Sequence, residues 1–472
     1  MVLRRVLRTT AGAAVPDFAA IRAEFDVPDR FPDDVVAEAE RLAAAPPLPE
    51  HDATDLELVT IDPPGSRDLD QAVHLARRGT GYRVSYAIAD VGGFVRLGGA
   101  IDGEARRRGQ TLYSPDTRTP LHPPQLSEGA ASLLPGQLAP AALWTVDLDA
   151  DGEIGAVDLR RARVRSRAQL DYAGVQAQAD AGTLPAPLEL LPVVGALLQQ
   201  RAGDRGAIEL GTPSQEVELG PDGGWRVVFR GELPVEEWNA QISLLTGRCA
   251  ARLMLEGGVG VLRTLPPPSA DTVAALRRLA PALDVDWPAD ATPGAVIAGL
   301  DHSRPRHAAF LTEAAGLLRG AAYTAFDGAP PAEPGHGGVG GPYAHVTAPL
   351  RRLVDRFGTE VCLALAAGED PDLALRAVLP ELPALMAASD RRTKDVERAA
   401  IEATEAALLA GRVGETFPAV VVDASADRAT VVLDELAVRA RCDGPGLTAG
   451  ERTTVRLTAA DPATRTVRFA PA

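Results

Sequence analysis

The chain has 472 residues, 46% of them hydrophobic, enough for two or three domains around a large core. Its formal net charge of −16 excludes a uniformly basic surface, so any nucleic-acid contact must come from a local concentration of positive charge. No run of about 18 uncharged apolar residues is present, which argues against a transmembrane helix, and Cys249, Cys362 and Cys442 are scattered without a CxxC pair, which argues against zinc and against a disulfide framework.

The start, Met1-Val-Leu-Arg-Arg5, leads to Thr9-Thr-Ala-Gly12 and Pro16-Asp17 rather than to an apolar signal core, so the expected location is the cytosol. Residues 1–50 read as a helical lead-in. Phe31-Pro32-Asp33-Asp34 places proline and acids where a helix begins, and Val35, Val36, Ala39, Leu42 and Ala43 supply its apolar stripe. Ala45-Pro-Pro-Leu-Pro49 ends it.

The stretch around which the chain is organised follows. An apolar run from Leu56 to Ile61 delivers Asp62, then Pro63, Pro64 and Gly65 break it, and Asp68 and Asp70 arrive just before Gln71-Ala-Val-His74. Carboxylates this close, entering and leaving buried strand, repel one another unless a cation sits among them. Oxygen-only donors of this kind suit Mg²⁺ or Mn²⁺, the ions of phosphate chemistry. A solvated acidic turn is the alternative reading of Asp68-Leu-Asp70 alone.

Tyr82-Arg-Val-Ser-Tyr86-Ala-Ile-Ala-Asp90-Val91 alternates like a strand, Asp102 to Tyr113 reads as a helix running into a loop, and Leu143 to Asp149 as a further strand. Lys394 is the only lysine, so almost all positive charge is guanidinium, the fork that grips phosphate bidentately. Arginines gather at 106–108, at 160, 161, 163, 165 and 167, and at 351–352, which fits either a basic channel inside an acidic body or ordinary surface ion pairs. Residues 266–298 alternate proline-rich breaks with a short helix near Val273–Leu279. From residue 411 five short β-rich runs, beginning at Phe417, Ala429, Leu436, Thr453 and Thr466, are separated by turn residues as in a small barrel or sandwich. Its only aromatics are Phe417 and Phe469, a poor supply for base stacking, and a purely structural barrel stands beside an RNA-binding one.

Several of these segments resemble the RNB nucleases, the family of bacterial ribonuclease II and ribonuclease R. Thr60-Ile61-Asp62, then Asp68-Leu69-Asp70-Gln71-Ala72, resembles the signature Thr-Ile-Asp, five residues, Asp-x-Asp-Asp-Ala, with glutamine in place of the fourth aspartate. Tyr343-Ala-His345-Val-Thr347-Ala-Pro349-Leu-Arg351-Arg352-Leu-Val-Asp355 resembles "Y-x-H-F-T-S-P-I-R-R-Y-x-D". Arg165 to Tyr172, Val235-Glu236-Glu237-Trp238 and Val396-Glu397-Arg398 resemble "S-x-A-x-L-x-Y", "I-E-E-x-M" and "A-E-R" in the family order.

The resemblance implies an α+β fold: an RNB-type catalytic domain over 51–410, with a mixed sheet flanked by helices, then an OB-like β-barrel over 411–472. It also implies a short form without N-terminal cold-shock domains. The implied activity is metal-dependent 3′→5′ hydrolysis of single-stranded RNA to nucleoside 5′-monophosphates, with Mg²⁺ or Mn²⁺ and no organic cofactor or membrane partner. Asp62, Asp68 and Asp70 would hold the metal, with Gln71 a weaker fourth ligand; Asp70, Asp68 and Arg351 would serve turnover. Tyr113, Tyr172, Glu236 or Glu237, Arg352 and Glu397 would contact the RNA, while His336 and His345 are taken as structural. Because glutamine removes a negative charge from this cage, Gln71→Asp is expected to raise activity or lower the Mg²⁺ requirement. The alternative is a catalytically weakened RNB-like protein that only binds RNA; a metal phosphoesterase acting on a small substrate is disfavoured by the terminal barrel.

Overall fold

The computed structural model describes residues 6–8, 16–220, 223–301, 304–434 and 436–472. Its architecture is α+β, with a large mixed sheet flanked by helices and a closed five-stranded barrel at the C-terminus.

The large sheet is built from β1 (Val59–Ile61), β2 (Gln71–Arg78), β3 (Gly81–Ala89), β4 (Leu138–Leu148), β5 (Ile154–Arg165) and β6 (Ala168–Leu170), in the order β5-β4-β3-β2-β1-β6. All neighbours are antiparallel except β1 and β6, which run parallel with Val59 opposite Ala168 and Ile61 opposite Leu170. β2 and β3 form a hairpin whose two-residue turn carries Gly79 at φ +58°, the left-handed geometry that fits the twist of antiparallel strands.

Alternation along these strands divides the apolar residues between two faces. Val73, Leu75, Val84, Tyr86, Ile88, Trp144 and Val146 belong to one core, which includes Ile242 and Leu245 of a long helix and Phe357 of another. Ala72, Ala87, Ala89, Ala141, Leu143 and Val164 belong to the second, closed by Val35, Ala39 and Ile101. The helices concerned are α1 (Asp33–Ala43), α2 (Ala100–Arg108), α3 (Tyr172–Ala181), α4 (Pro234–Gly257) and α5 (Leu353–Ala366). The second face is made largely of small side chains, and α1 and α2 share its apolar cluster. Among the described residues no single helix is long and apolar enough to cross a membrane.

A 28-residue helix, α6 (Leu382–Leu409), packs against the barrel strands Arg452–Asp461 and Thr466–Pro471. Gly109, at the end of α2, packs against it: with φ +76°, a Cβ there would lie 2.5 Å from the Cβ of Ser389, so glycine alone permits this approach. The short helix expected near 273–279 is Ala270–Leu279, and it joins Pro293–Ala298 and Pro305–Ala314 around a small core of Leu276, Leu283, Ile297 and Phe310. A three-stranded sheet of Val6–Arg8, Ser214–Leu219 and Trp225–Arg230, unforeseen from the sequence, packs Val227 against the barrel core.

The barrel strands are β7 (Thr416–Ala424), β8 (Arg428–Leu433), β9 (Arg439–Asp443), β10 (Arg452–Asp461) and β11 (Thr466–Pro471), closed in the order β7-β8-β9-β11-β10. Phe417 and Phe469 are both buried and meet edge to face, with ring centroids 5.9 Å apart. They fill the barrel instead of presenting a face to solvent.

Candidate active site

Strand β1 ends one residue before Asp62, whose N–H donates to the Leu170 carbonyl at 3.0 Å and so fixes where the acidic turn begins. The turn is anchored along its length. Gln169 Nε2 donates to the Ser66 carbonyl at 2.7 Å, Ser132 Oγ donates to the Arg67 carbonyl at 2.6 Å, and the Leu69 N–H donates to Ser132 Oγ at 2.9 Å. Leu69 is fully buried, which seats Asp70 in the protein interior at 5% exposure.

Asp70 reaches across 280 residues of sequence: its Oδ1 accepts from the Leu350 N–H at 2.7 Å. Its Oδ2 lies 3.7 Å from Arg351 Nε. The backbone of Arg351 is held on both sides, by its own N–H to the Ala348 carbonyl at 3.2 Å and by its carbonyl accepting from the Thr111 N–H at 2.9 Å. Its side chain remains 45% exposed. A positive fork is thereby presented to solvent directly over a buried carboxylate.

Burial pushes the Asp70 carboxyl up to about 8; Arg351 and the Leu350 N–H oppose the shift, while Asp355 and Asp68 add to it. Burial likewise raises Asp62 to about 6, with Thr60 and Arg351 opposing and Asp68 adding. Asp62 Oδ2 is buried and has no hydrogen-bond partner, an uncompensated acceptor facing inward. Asp68 is engaged instead by Arg118, Nη1 to Oδ1 at 2.6 Å, and Arg118 also reaches Glu128 at 2.7 Å. Among the described residues no three carboxylate, imidazole or thiolate groups converge at metal-binding distance. The donor chemistry nevertheless suits a hard divalent cation, since a cation would satisfy the orphaned Asp62 oxygen and favour the ionised forms of two carboxyls whose charge burial disfavours.

Tyr172, the first residue of α3, has its hydroxyl raised by burial first and then by the Asp62 and Glu236 carboxylates, with Asn239 and Arg351 opposing the shift. Tyr113 is 48% exposed, with its hydroxyl 3.4 Å from Asp68 Oδ2. The two glutamates left open by sequence are separated by their bonds. Glu236 caps α4 by accepting from the Leu233 N–H at 2.8 Å and pairs with Arg230 at 2.5 Å, while Glu237 is exposed and, among the described residues, accepts from Gln199 alone, at 3.1 Å. Arg352 forms a bidentate pair with Asp355, at 2.8 and 2.7 Å, and that pair holds its charge despite burial. Its guanidinium is therefore committed to the fold rather than open to a phosphate. Glu397 lies on α6 one turn beyond Thr393, which accepts from Gln110 at 2.6 Å. Burial raises the Glu397 carboxyl, with Lys394 opposing the shift, and no hydrogen bond or ion pair joins it to the aspartates among the described residues.

Gln71 has both ends of its amide engaged: Nε2 donates to the Thr347 carbonyl at 2.6 Å, and Oε1 accepts from the Tyr86 hydroxyl at 2.6 Å. Sequence reading missed Tyr86, Arg118, Ser243 and Asn239. For Tyr86 a signal existed, because strand alternation puts it on the face shared with Gln71; the others come from distant elements and left none. His345 is buried against Tyr323, Nδ1 to hydroxyl at 2.7 Å, and burial lowers it and His336 well below the usual histidine range, in keeping with structural roles. The arginine clusters are largely paired: Arg106 with Asp102, Arg107 and Arg108 with Glu104, Arg160 with Asp158, Arg161 with Asp90 and Arg163 with Asp52. These residues form ion pairs, not a free basic channel.

Two family models match the chain. The RNB domain matches residues 50–358, and the RNase II-type exonuclease C-terminal S1 domain matches residues 415–472. Ribonuclease R of Aquifex aeolicus is 27% identical over 436 residues, which cover 87% of this chain and 61% of that protein. Ribonuclease R of Escherichia coli is 28% identical over 337 residues, 64% of this chain and 39% of that one. The chain thus spans less than two thirds of the length of these relatives. Among solved structures, Mycoplasma genitalium RNase R in complex with ribose methylated single-stranded RNA superposes with a TM-score of 0.86 at 20% identity, covering 96% of this chain and 77% of that one. Yeast Ssd1, described as a pseudonuclease, superposes with a TM-score of 0.70 at 16% identity, covering 84% of this chain and 52% of that one. At these identities the two superpositions speak for the fold.

Proposed function

The chain belongs to the RNB family, and from that premise we propose that it is a metal-dependent 3′→5′ exoribonuclease that hydrolyses single-stranded RNA in the cytosol to nucleoside 5′-monophosphates. The observation that supports this best is the approach of Arg351 to within 3.7 Å of the buried Asp70, two residues 281 positions apart brought to one point with Asp62 and Tyr172 beside them.

In this reading Asp62 and Asp70, with Asp68 at the edge, hold Mg²⁺ or Mn²⁺. When bound, the cation supplies a water acidic enough to act as nucleophile near neutral pH, and charge compensation for the leaving oxygen. The chain's own residues do the rest. Arg351 offers its exposed fork to the non-bridging oxygens of the scissile phosphate, where negative charge builds up. Tyr172 packs against the terminal nucleotide, and Tyr113 stacks on a base nearer the mouth without reading its identity. Glu237, free of the cap that occupies Glu236, is the glutamate available to a ribose hydroxyl, the group that distinguishes RNA from DNA.

A second reading, an RNA-binding protein of weakened activity, draws on one observation, the neutral Gln71 where the family signature has an aspartate. The two part in a single assay. With 5′-labelled single-stranded RNA and Mg²⁺ or Mn²⁺, the enzyme shortens the label stepwise and Asp70→Asn leaves it intact. Tight binding with full-length RNA in both samples would mean the binder.

A further inference from the structure

We propose that Gln71 is a positioning residue that, together with Asp70, fastens the segment 347–352 and so places the Arg351 guanidinium. The inference rests on the exoribonuclease reading for its catalytic consequence, and on hydrogen-bond geometry for the contact itself.

Two successive residues grip one loop with opposite polarity. Asp70 Oδ1 accepts from the Leu350 N–H at 2.7 Å, and Gln71 Nε2 donates to the Thr347 carbonyl at 2.6 Å. Between those points the Ala348 N–H donates to Asp355 Oδ1 at 2.7 Å. The orientation of the Gln71 amide follows from its partners, because a carbonyl oxygen accepts only, so the nitrogen must face Thr347. The amide oxygen then takes the Tyr86 hydroxyl proton at 2.6 Å, and Ser243 Oγ lies 2.9 Å from the same hydroxyl and donates to it. The chain of donors is complete: Ser243 to Tyr86, Tyr86 to Gln71, Gln71 to Thr347. Tyr86 is 1% exposed, so this relay is shielded from competing water.

An ionised carboxylate cannot take this place. Aspartate is one methylene too short to reach Thr347, and both aspartate and glutamate, when ionised, present acceptors to an acceptor. The oxygen of Gln71 that would serve a cation is already occupied by Tyr86. Substituting an acid at position 71 should therefore release the Arg351 loop, the opposite of the gain expected from restoring the family's aspartate.

The test compares Gln71→Glu, Gln71→Leu and Tyr86→Phe with the parent protein in two assays. The first is amide hydrogen exchange over residues 346–353 without metal. Both Gln71 variants should exchange about tenfold faster there, the effect of losing one anchoring hydrogen bond, and Tyr86→Phe should show a smaller increase in the same segment. The second measures kcat, KM and the Mg²⁺ half-saturation on labelled RNA. In Gln71→Glu, kcat should fall about tenfold or more, while KM and the Mg²⁺ half-saturation stay within about twofold. Unchanged exchange in Gln71→Leu, which cannot donate to Thr347 in any protonation state, overturns the proposal, as does a raised kcat or a Mg²⁺ half-saturation moved about tenfold in Gln71→Glu, either of which would put the residue in the metal shell. If the parent protein leaves RNA intact while Asp70→Asn behaves identically, the enzymatic reading fails, and the exchange measurement still decides the role of Gln71. Should Gln71→Leu not fold, Tyr86→Phe, which deletes one hydroxyl, carries the comparison.

Discussion

Glu405 sits where α6, the strand Ser214–Leu219 and the barrel meet, and it is 4% exposed. Its Oε1 accepts from Gln215 Nε2 at 2.5 Å and from the Arg439 N–H at 3.2 Å. Burial lifts its carboxyl from an ordinary 4.5 to about 8, with the two donors opposing and Glu402 adding to the shift. The folded protein therefore keeps the proton while the unfolded chain releases it from about pH 4.5 upward. Stability from this group is fully present below that pH, falls by about 1.36 kcal/mol per unit through the interval, and levels off above about pH 8. The whole interval is worth up to about 5 kcal/mol. Glu405→Gln retains an oxygen for both donors and cannot ionise. Urea unfolding of both proteins from pH 4.5 to 9 isolates the effect, because every other titrating group cancels in the difference. The variant should match the parent near pH 4.5 and exceed it increasingly up to about pH 8. A constant offset across that range would refute the reasoning, since it would mean that Glu405 ionises in the folded state as it does in water.

Other consequences can be measured as directly. Asp102→Ala strands Arg356, which is almost wholly buried and paired with it, and removes the acceptor of the Gly98 N–H; it should cost about 3–5 kcal/mol in denaturant unfolding. Tyr172→Ala should weaken binding of single-stranded RNA to a non-cleaving Asp70→Asn background by about 1–3 kcal/mol in a filter assay, while Tyr172→Phe should stay close to the parent. Saturating Mg²⁺ at about one hundred times its dissociation constant should raise the parent's stability by about 2.7 kcal/mol and leave an Asp62→Asn, Asp70→Asn double variant unmoved in the same thermal scan.

Features set by local pattern were the most legible in sequence. The alternation of Tyr82–Ala89, the proline and acids ahead of α1, and the five β-rich runs after residue 411 each follow from neighbours a few positions apart, and each became the element expected. The joining of Asp70 with Arg351 came from resemblance, since no periodicity links positions so far apart. What stayed hidden were bonds between distant elements competing for the same side chain. Glu236 and Glu237 look alike in sequence, yet the start of α4 takes one and leaves the other. Arg352 is followed three residues later by Asp355, a spacing that favours a helical pair, and its commitment to that pair could have been read. Gln71 could not, because its carbonyl partner lies 276 residues away.

The inward placement of Phe417 and Phe469 has a consequence for how the barrel would meet a polynucleotide. With no ring on its outer surface, whatever hold it has on a passing strand comes from guanidinium groups displacing condensed counterions at the phosphates. That hold should fade with rising ionic strength, at about 0.7 logarithmic units of affinity per decade of salt for each contact. Stacking on Tyr113 and Tyr172, which displaces no counterions, should weaken far less over the same range.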